Sequence, residues 1–81
     1  MVKNRLLEIR LKLGYKKQKD FAKFLDIGIS HYNKLENNNL LITVDVLFKI
    51  ARKLNMDINE IVYYEEDPQF WGSFFIILIS F

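Results

Sequence analysis

The stretch from residue 18 to residue 36 constrains this chain more than any other part of its 81 residues. Phe21, Ala22 and Leu25 share one face of a helical pattern over residues 18–25, and Lys19, Asp20 and Lys23 lie away from it. Asp26-Ile27-Gly28 interrupts the period with residues that tolerate left-handed or capping geometry, and the pattern resumes over residues 29–36 with Tyr32 and Leu35 inward. Two short helices separated by so tight a turn must cross steeply. The small side chain of Ala22 lets them approach closely, and Ile27, Tyr32 and Leu35 supply the apolar lock. The outer face of the second helix of the pair is then free to project.

The flanking sequence supplies helices to pack around this pair. Residues 3–13 place Leu6, Ile9 and Leu13 at helical spacing and meet a stop at Gly14. Asn37-Asn38-Asn39 is a turn cluster. Thr43 stands where an N-cap belongs, before Val44, Leu47, Ile50, Ala51 and Leu54. Asn55 suits a left-handed C-cap, and Asp57 with Glu60 forms an acidic variant of the capping box, opening a short fifth helix through Tyr63. The expected fold is all-α, five helices in residues 1–64, followed by an acidic linker and apolar tail at 65–81 with the character of a strand.

Composition narrows the chemistry. Apolar residues at 51% and charged ones at 27% describe a chain that folds rather than a disordered one. There is no cysteine and one histidine, His31, so neither a thiolate or imidazole metal cage nor a histidine-based catalytic pair is expected, and no cofactor is implied. The acids Glu65, Glu66 and Asp67 have no nucleophile or ligand set beside them, so no catalytic residue is assigned. All twelve Lys and Arg precede residue 54, and residues 1–64 carry a net charge of +5, an asymmetry suited to phosphate as well as to any soluble helical surface. The charged start has no apolar run behind it, unlike a secretory signal, so a cytoplasmic location is expected.

The run Gln18-Lys19-Asp20-Phe21-Ala22, taken with Tyr32-Asn33-Lys34-Leu35-Glu36-Asn37, resembles the Cro-like, XRE-type family of helix-turn-helix regulators, which have the lambda-repressor-like fold. Arg10 before Gly14 and the stretch at residues 43–51 resemble that family's first and fourth helices. The resemblance implies binding to double-stranded operator DNA as a repressor, with helix 29–36 in the major groove and the preceding helix across the backbone. It implies base contacts from Ile29, Ser30, Asn33 and Lys34, phosphate contacts from Gln18 and Asn37, and a structural pair of Arg10 with Glu36. Lys17, Lys19 and Asn38 are further phosphate candidates. Three positions depart from the family pattern: Asp26 replaces a turn glycine, Gly28 replaces a capping serine, and loop 37–42 lacks basic residues. Ile29 at the head of the recognition helix suits a thymine methyl rather than a bidentate hydrogen bond.

Blander roles stand beside these. Ser30, Asn33 and Lys34 also suit an ordinary solvated helix face, Gln18 and Asn37 also suit simple caps, and Lys16, Lys17, Lys19 and Lys23 also suit a solubilising surface. The alternative function is a protein-interaction module, such as an antitoxin-like partner-binding protein. Residues 69–81 hold nine large apolar side chains, among them Phe70, Trp71, Phe74 and Phe75. They are too few to span a bilayer, which takes about 20 in a helix. Their β-branched and aromatic content favours a strand that pairs with a second chain as a homodimer or covers a groove on its own domain. A membrane-interface segment and a non-native tail are the other readings.

Overall fold

A computed structural model describes residues 1–66. In order along the chain the elements are β1 (Val2–Asn4), α1 (Leu6–Lys12), α2 (Gln18–Leu25), α3 (Ile29–Glu36), α4 (Val44–Leu54), α5 (Ile58–Ile61) and β2 (Val62–Tyr64).

The first four helices stop by one device, a left-handed residue just past the end. Gly14 (φ 90°), Asp26 (φ 58°), Asn38 (φ 59°) and Asn55 (φ 53°) fill that position, glycine once and the short polar side chains that tolerate it three times. In each case the next residue's N–H folds back to a carbonyl of the last turn: Tyr15 to Arg10, Ile27 to Ala22, Asn39 to Lys34 and Met56 to Ala51, at 2.9–3.1 Å. These bonds satisfy carbonyls that a helix end leaves unpaired, and they turn the chain sharply enough for the next helix to pack back. The starts are equally local. Thr43 Oγ1 accepts from the Val46 N–H, and Asp57 and Glu60 form a reciprocal capping box at α5.

Leu6, Phe21, Leu25, Tyr32, Leu35, Ile50 and Ile61 are fully buried, and Ala22, Ile9 and Ala51 nearly so. They draw every helix onto one core, with Ile27, Leu47 and Leu54 packed at its edge. Phe21 meets Tyr32 edge to face at 5.6 Å, joining α2 to α3 through the geometry that aromatic quadrupoles favour. Among the described residues the longest helix has 11 residues, and none is long and apolar enough to cross a membrane.

The two ends of the domain differ from the sequence expectation. The helical pattern over 3–13 begins at Leu6, and Val2–Asn4 is a strand. The fifth helix stops at Ile61 instead of reaching Tyr63, and Val62–Tyr64 is the antiparallel partner, with Val2 opposite Tyr64 and Asn4 opposite Val62. The bundle therefore carries a two-stranded sheet. Its cause is nonlocal: Arg5 N–H donates to the Ile61 carbonyl, Met1 and Glu65 exchange backbone bonds, Lys3 pairs with Glu65, and the Arg5 guanidinium lies over the Tyr63 ring at 4.4 Å. Leu13 and Val44, both on the expected apolar faces, are 53% and 67% exposed because each sits at a helix terminus, where the chain turns away from the core. The strand expected in the apolar tail lies outside the described residues.

Candidate nucleic-acid interface

The site is built on α3, whose two faces have opposite chemistry. Tyr32, Leu35 and Glu36 are buried, whereas Ile29, Ser30, His31, Asn33, Lys34 and Asn37 are exposed. A helix of eight residues can present such a face only if its ends are held, and both ends of α3 are.

At the leading end, Gly28 takes an extended conformation (φ −59°, ψ 143°) and starts the helix without a capping side chain. Asp26 before it holds the left-handed turn, so the departure from a turn glycine leaves the geometry intact. Lys49 of α4 donates to the Asp26 carbonyl at 2.6 Å and lies 3.5 Å from its carboxylate, clamping the turn from outside.

At the trailing end, Arg10 of α1 reaches Glu36 Oε1 through Nε and Nη2 at 3.1 and 3.0 Å. The pair is almost wholly enclosed, with the two side chains 9% and 2% exposed. Arg10 Nη1 also donates to the carbonyls of Tyr15 and Lys16, at 3.0 and 2.7 Å. One guanidinium thus joins α1, the end of α3 and the loop that delivers Lys16 and Lys17 to the start of α2. Tyr32 Oη and Glu36 Oε2 are buried without hydrogen-bond partners among the described residues. Burial first, and the Glu36 carboxylate second, raises the pKa of the Tyr32 hydroxyl far above its usual range, so it stays protonated.

Asn4 is a second anchor at the same end. Its Nδ2 donates to the Leu35 carbonyl at 2.6 Å and to Asn38 Oδ1 at 3.3 Å, its backbone N–H donates to Asn38 Oδ1 at 3.1 Å, and its Oδ1 accepts from the Leu6 N–H. Asn38, half-buried in the left-handed position after α3, therefore turns its side-chain oxygen inward to the strand. Sequence reading missed Asn4 because it placed that residue inside a helix. The available signal was an asparagine just ahead of the apolar run that starts at Leu6.

The phosphate candidates gather at the start of α2. Lys17 precedes its first residue, Gln18 is that residue and Lys19 follows, with Gln18 half-buried and both lysines exposed. Gln18 Oε1 accepts from Asn33 Nδ2 at 2.8 Å, so the head of α2 and the outer face of α3 form one surface. Ile29 at the head of α3 is 48% exposed, a large aliphatic side chain on an otherwise polar face. Among the described residues no group of three or more His, Cys, Asp or Glu is arranged to hold a metal ion.

Two helices packed across a three-residue turn, with the second braced at both ends and its outer face exposed among the described residues, define a helix-turn-helix domain. Residues 6–61, more than two thirds of the chain, match the family model described as Helix-turn-helix, and the chain belongs to that family in its Cro-like, XRE-type form. The protein is accordingly a DNA-binding regulator by family, and the family is not one of enzymes. No match to a curated protein was found.

Proposed function

We propose that the protein is a transcriptional repressor that reads operator DNA as a homodimer, with α3 in the major groove and α2 across the phosphate backbone. The observation that carries this reading is the braced outer face of α3, on which Ile29, Ser30, Asn33 and Lys34 stand exposed beside Lys17, Gln18 and Lys19. Lys34 has the donor chemistry for guanine O6 and N7, Ser30 donates or accepts, and Ile29 packs on a thymine methyl. Gln18, Lys17, Lys19, Asn37 and Asn38 meet phosphates and set the register, because phosphate contacts position while base contacts specify. The unit that binds is residues 1–64, and the cytoplasmic location expected from sequence accords with this role.

One eight-residue recognition helix reads only a few base pairs, so a second copy supplies the second half-site. The two copies join through the C-terminal tail or through α5, which places their recognition helices about 34 Å apart on one side of the duplex.

Selection from randomised duplexes followed by titration across salt concentrations tests the reading. Binding that falls steeply with salt supports it, since log K drops by about 0.9 per neutralised phosphate for each decade of salt. Binding of DNA that ignores salt, or none, moves the protein to the partner-binding class. Sedimentation of the full chain beside one ending at Asp67 locates the dimer contact. A truncated monomer assigns it to the tail, and a truncated dimer assigns it to α5.

A further inference from the structure

A groove lies between α1 and the junction of α4 with α5. Among the described residues its lining includes the apolar side chains of Ile9, Leu13, Leu54 and Met56, with charged groups such as Arg5, Glu8 and Glu60 beside them. Its volume is about 510 Å³, in the range of clefts that bury a drug-sized molecule. Leu13 shares the apolar stripe of Leu6 and Ile9, yet it is 53% exposed, and Leu54 and Met56 are half-buried at the edge of the core. The apolar surface of α1 thus continues beyond the core that residues 1–66 supply.

The course of the chain after α5 bears on what covers this surface. Arg5, at the groove, has its guanidinium over the Tyr63 ring at 4.4 Å and donates through Nη1 to the Asn59 carbonyl at 3.3 Å. Glu60, also at the groove, stands two residues before β2. The strand therefore departs from the groove wall. Gln69 follows Tyr63 by six residues, a reach of about 20 Å when extended, and Asp67-Pro68 between them is a turn signal in the sequence. Residues 69–81 hold nine large apolar side chains and no charged one, a composition that suits an apolar lining. On so short a tether the segment meets its own groove at an effective concentration on the order of millimolar, far above that of a second copy in dilute solution.

We propose that residues 69–81 pack into the groove of their own domain, against Leu13, Leu54 and Met56. Among the described residues nothing from α2 or α3 lines the groove, so its occupation leaves the recognition face open. The proposal goes beyond the DNA-binding reading and does not rest on it. Seated beside Glu60, the tail adjoins α5, and the two dimer contacts proposed above then lie side by side.

Trp71 is the one tryptophan and the sequence has no cysteine, so the full chain carries its own reporter and accepts a single label. Trp71 emission is expected to be blue-shifted, weakly quenched by acrylamide and unchanged on dilution to the monomer. Leu13→Lys puts a charge into the groove at a helix C-terminus, where a cation suits the helix dipole. It should shift the emission to the red and raise quenching while the helical circular dichroism holds. A nitroxide on Glu8→Cys should broaden the amide signals of residues 69–81 within its own chain and spare those of an isotope-labelled second copy mixed with it, and one on Lys23→Cys in α2 should broaden them far less. Solvent-like emission from the unsubstituted chain, emission that Leu13→Lys leaves unchanged, or broadening that is absent or passes only between copies overturns the proposal. Salt-dependent duplex binding is read separately, and its absence overturns the DNA-binding reading while leaving the docked tail in place.

Discussion

The α2–turn–α3 unit and the β1–β2 sheet are both small, and they are held by different forces. In the first, Phe21, Ala22, Leu25, Tyr32 and Leu35 are all at most 1% exposed, and the helices are stopped by their own adjacent residues. In the second, strands of three residues leave Val2, Tyr63 and Tyr64 exposed and rely on backbone pairing, the Lys3–Glu65 pair and the Arg5–Tyr63 stack. Burial of a large apolar side chain is worth roughly 1.5–3 kcal/mol, whereas an exposed ion pair contributes at most about 1 kcal/mol. The helical pair is therefore the stable element, and the sheet is a tie between chain segments about sixty residues apart. That tie still reaches the site, because Asn4 at the end of β1 holds the last turn of α3.

The largest expected effect lies where the helical unit depends on a buried charge. Glu36→Ala leaves the Arg10 guanidinium enclosed without its counter-ion, and loss of about 3–5 kcal/mol is expected in denaturant melts. Replacing both partners, with Arg10→Met and Glu36→Met, should recover much of it. If Glu36→Ala costs no more than an exposed substitution, charge is not what closes the trailing end of α3.

Next comes apolar packing. Ala22 is 1% exposed, and Ala22→Leu inserts bulk at the approach of α2 to α3, with an expected cost of about 1–3 kcal/mol. For a domain of this size each kcal/mol lowers Tm by roughly 4–8 °C. An unchanged Tm would mean that the helices have slack at that position and that the contrast with the sheet is overstated.

Asn4→Ala sharpens the comparison from the other side. It strips hydrogen bonds from the Leu35 carbonyl and from Asn38, with an expected cost of about 1–3 kcal/mol, the lower end applying where water reaches the vacated groups. Hydrogen exchange should show faster opening of α3's last turn and of the sheet, with α2 still protected. Uniform loss across α2 as well would make the sheet part of the same cooperative unit.

The smallest effect concerns the outer face alone. Exchanging thymine for uracil removes a methyl from the base opposite Ile29 and should weaken binding by roughly 0.8 kcal/mol or less, about fourfold, at one position of the site. Fluorescence titration of duplexes substituted one position at a time measures it. If no position responds, Ile29 does not meet a methyl.

Much of the fold was legible in the sequence because its signals are local. The bounds of α2, α3 and α4, the left-handed stops at Gly14, Asp26 and Asn55, the Thr43 cap and the Asp57–Glu60 box each depend on residues within one turn of one another. The apolar period that marks Phe21, Leu25, Tyr32 and Leu35 likewise sets which face turns inward, whatever the helices later pack against. Tertiary structure alone decided the rest. A three-residue strand has no stability of its own, so Lys3 and Asn4 fall within a helical pattern by sequence, and Val2–Asn4 becomes a strand only when Val62–Tyr64 lies beside it. Asn33 has the residue type of a base reader, and only the arrival of Gln18 from the neighbouring helix and Asn37 from the next turn engages one hydrogen of its amide nitrogen and one lone pair of its oxygen within the protein. Residue type sets the donors and acceptors a side chain carries, and packing sets which of them are already used.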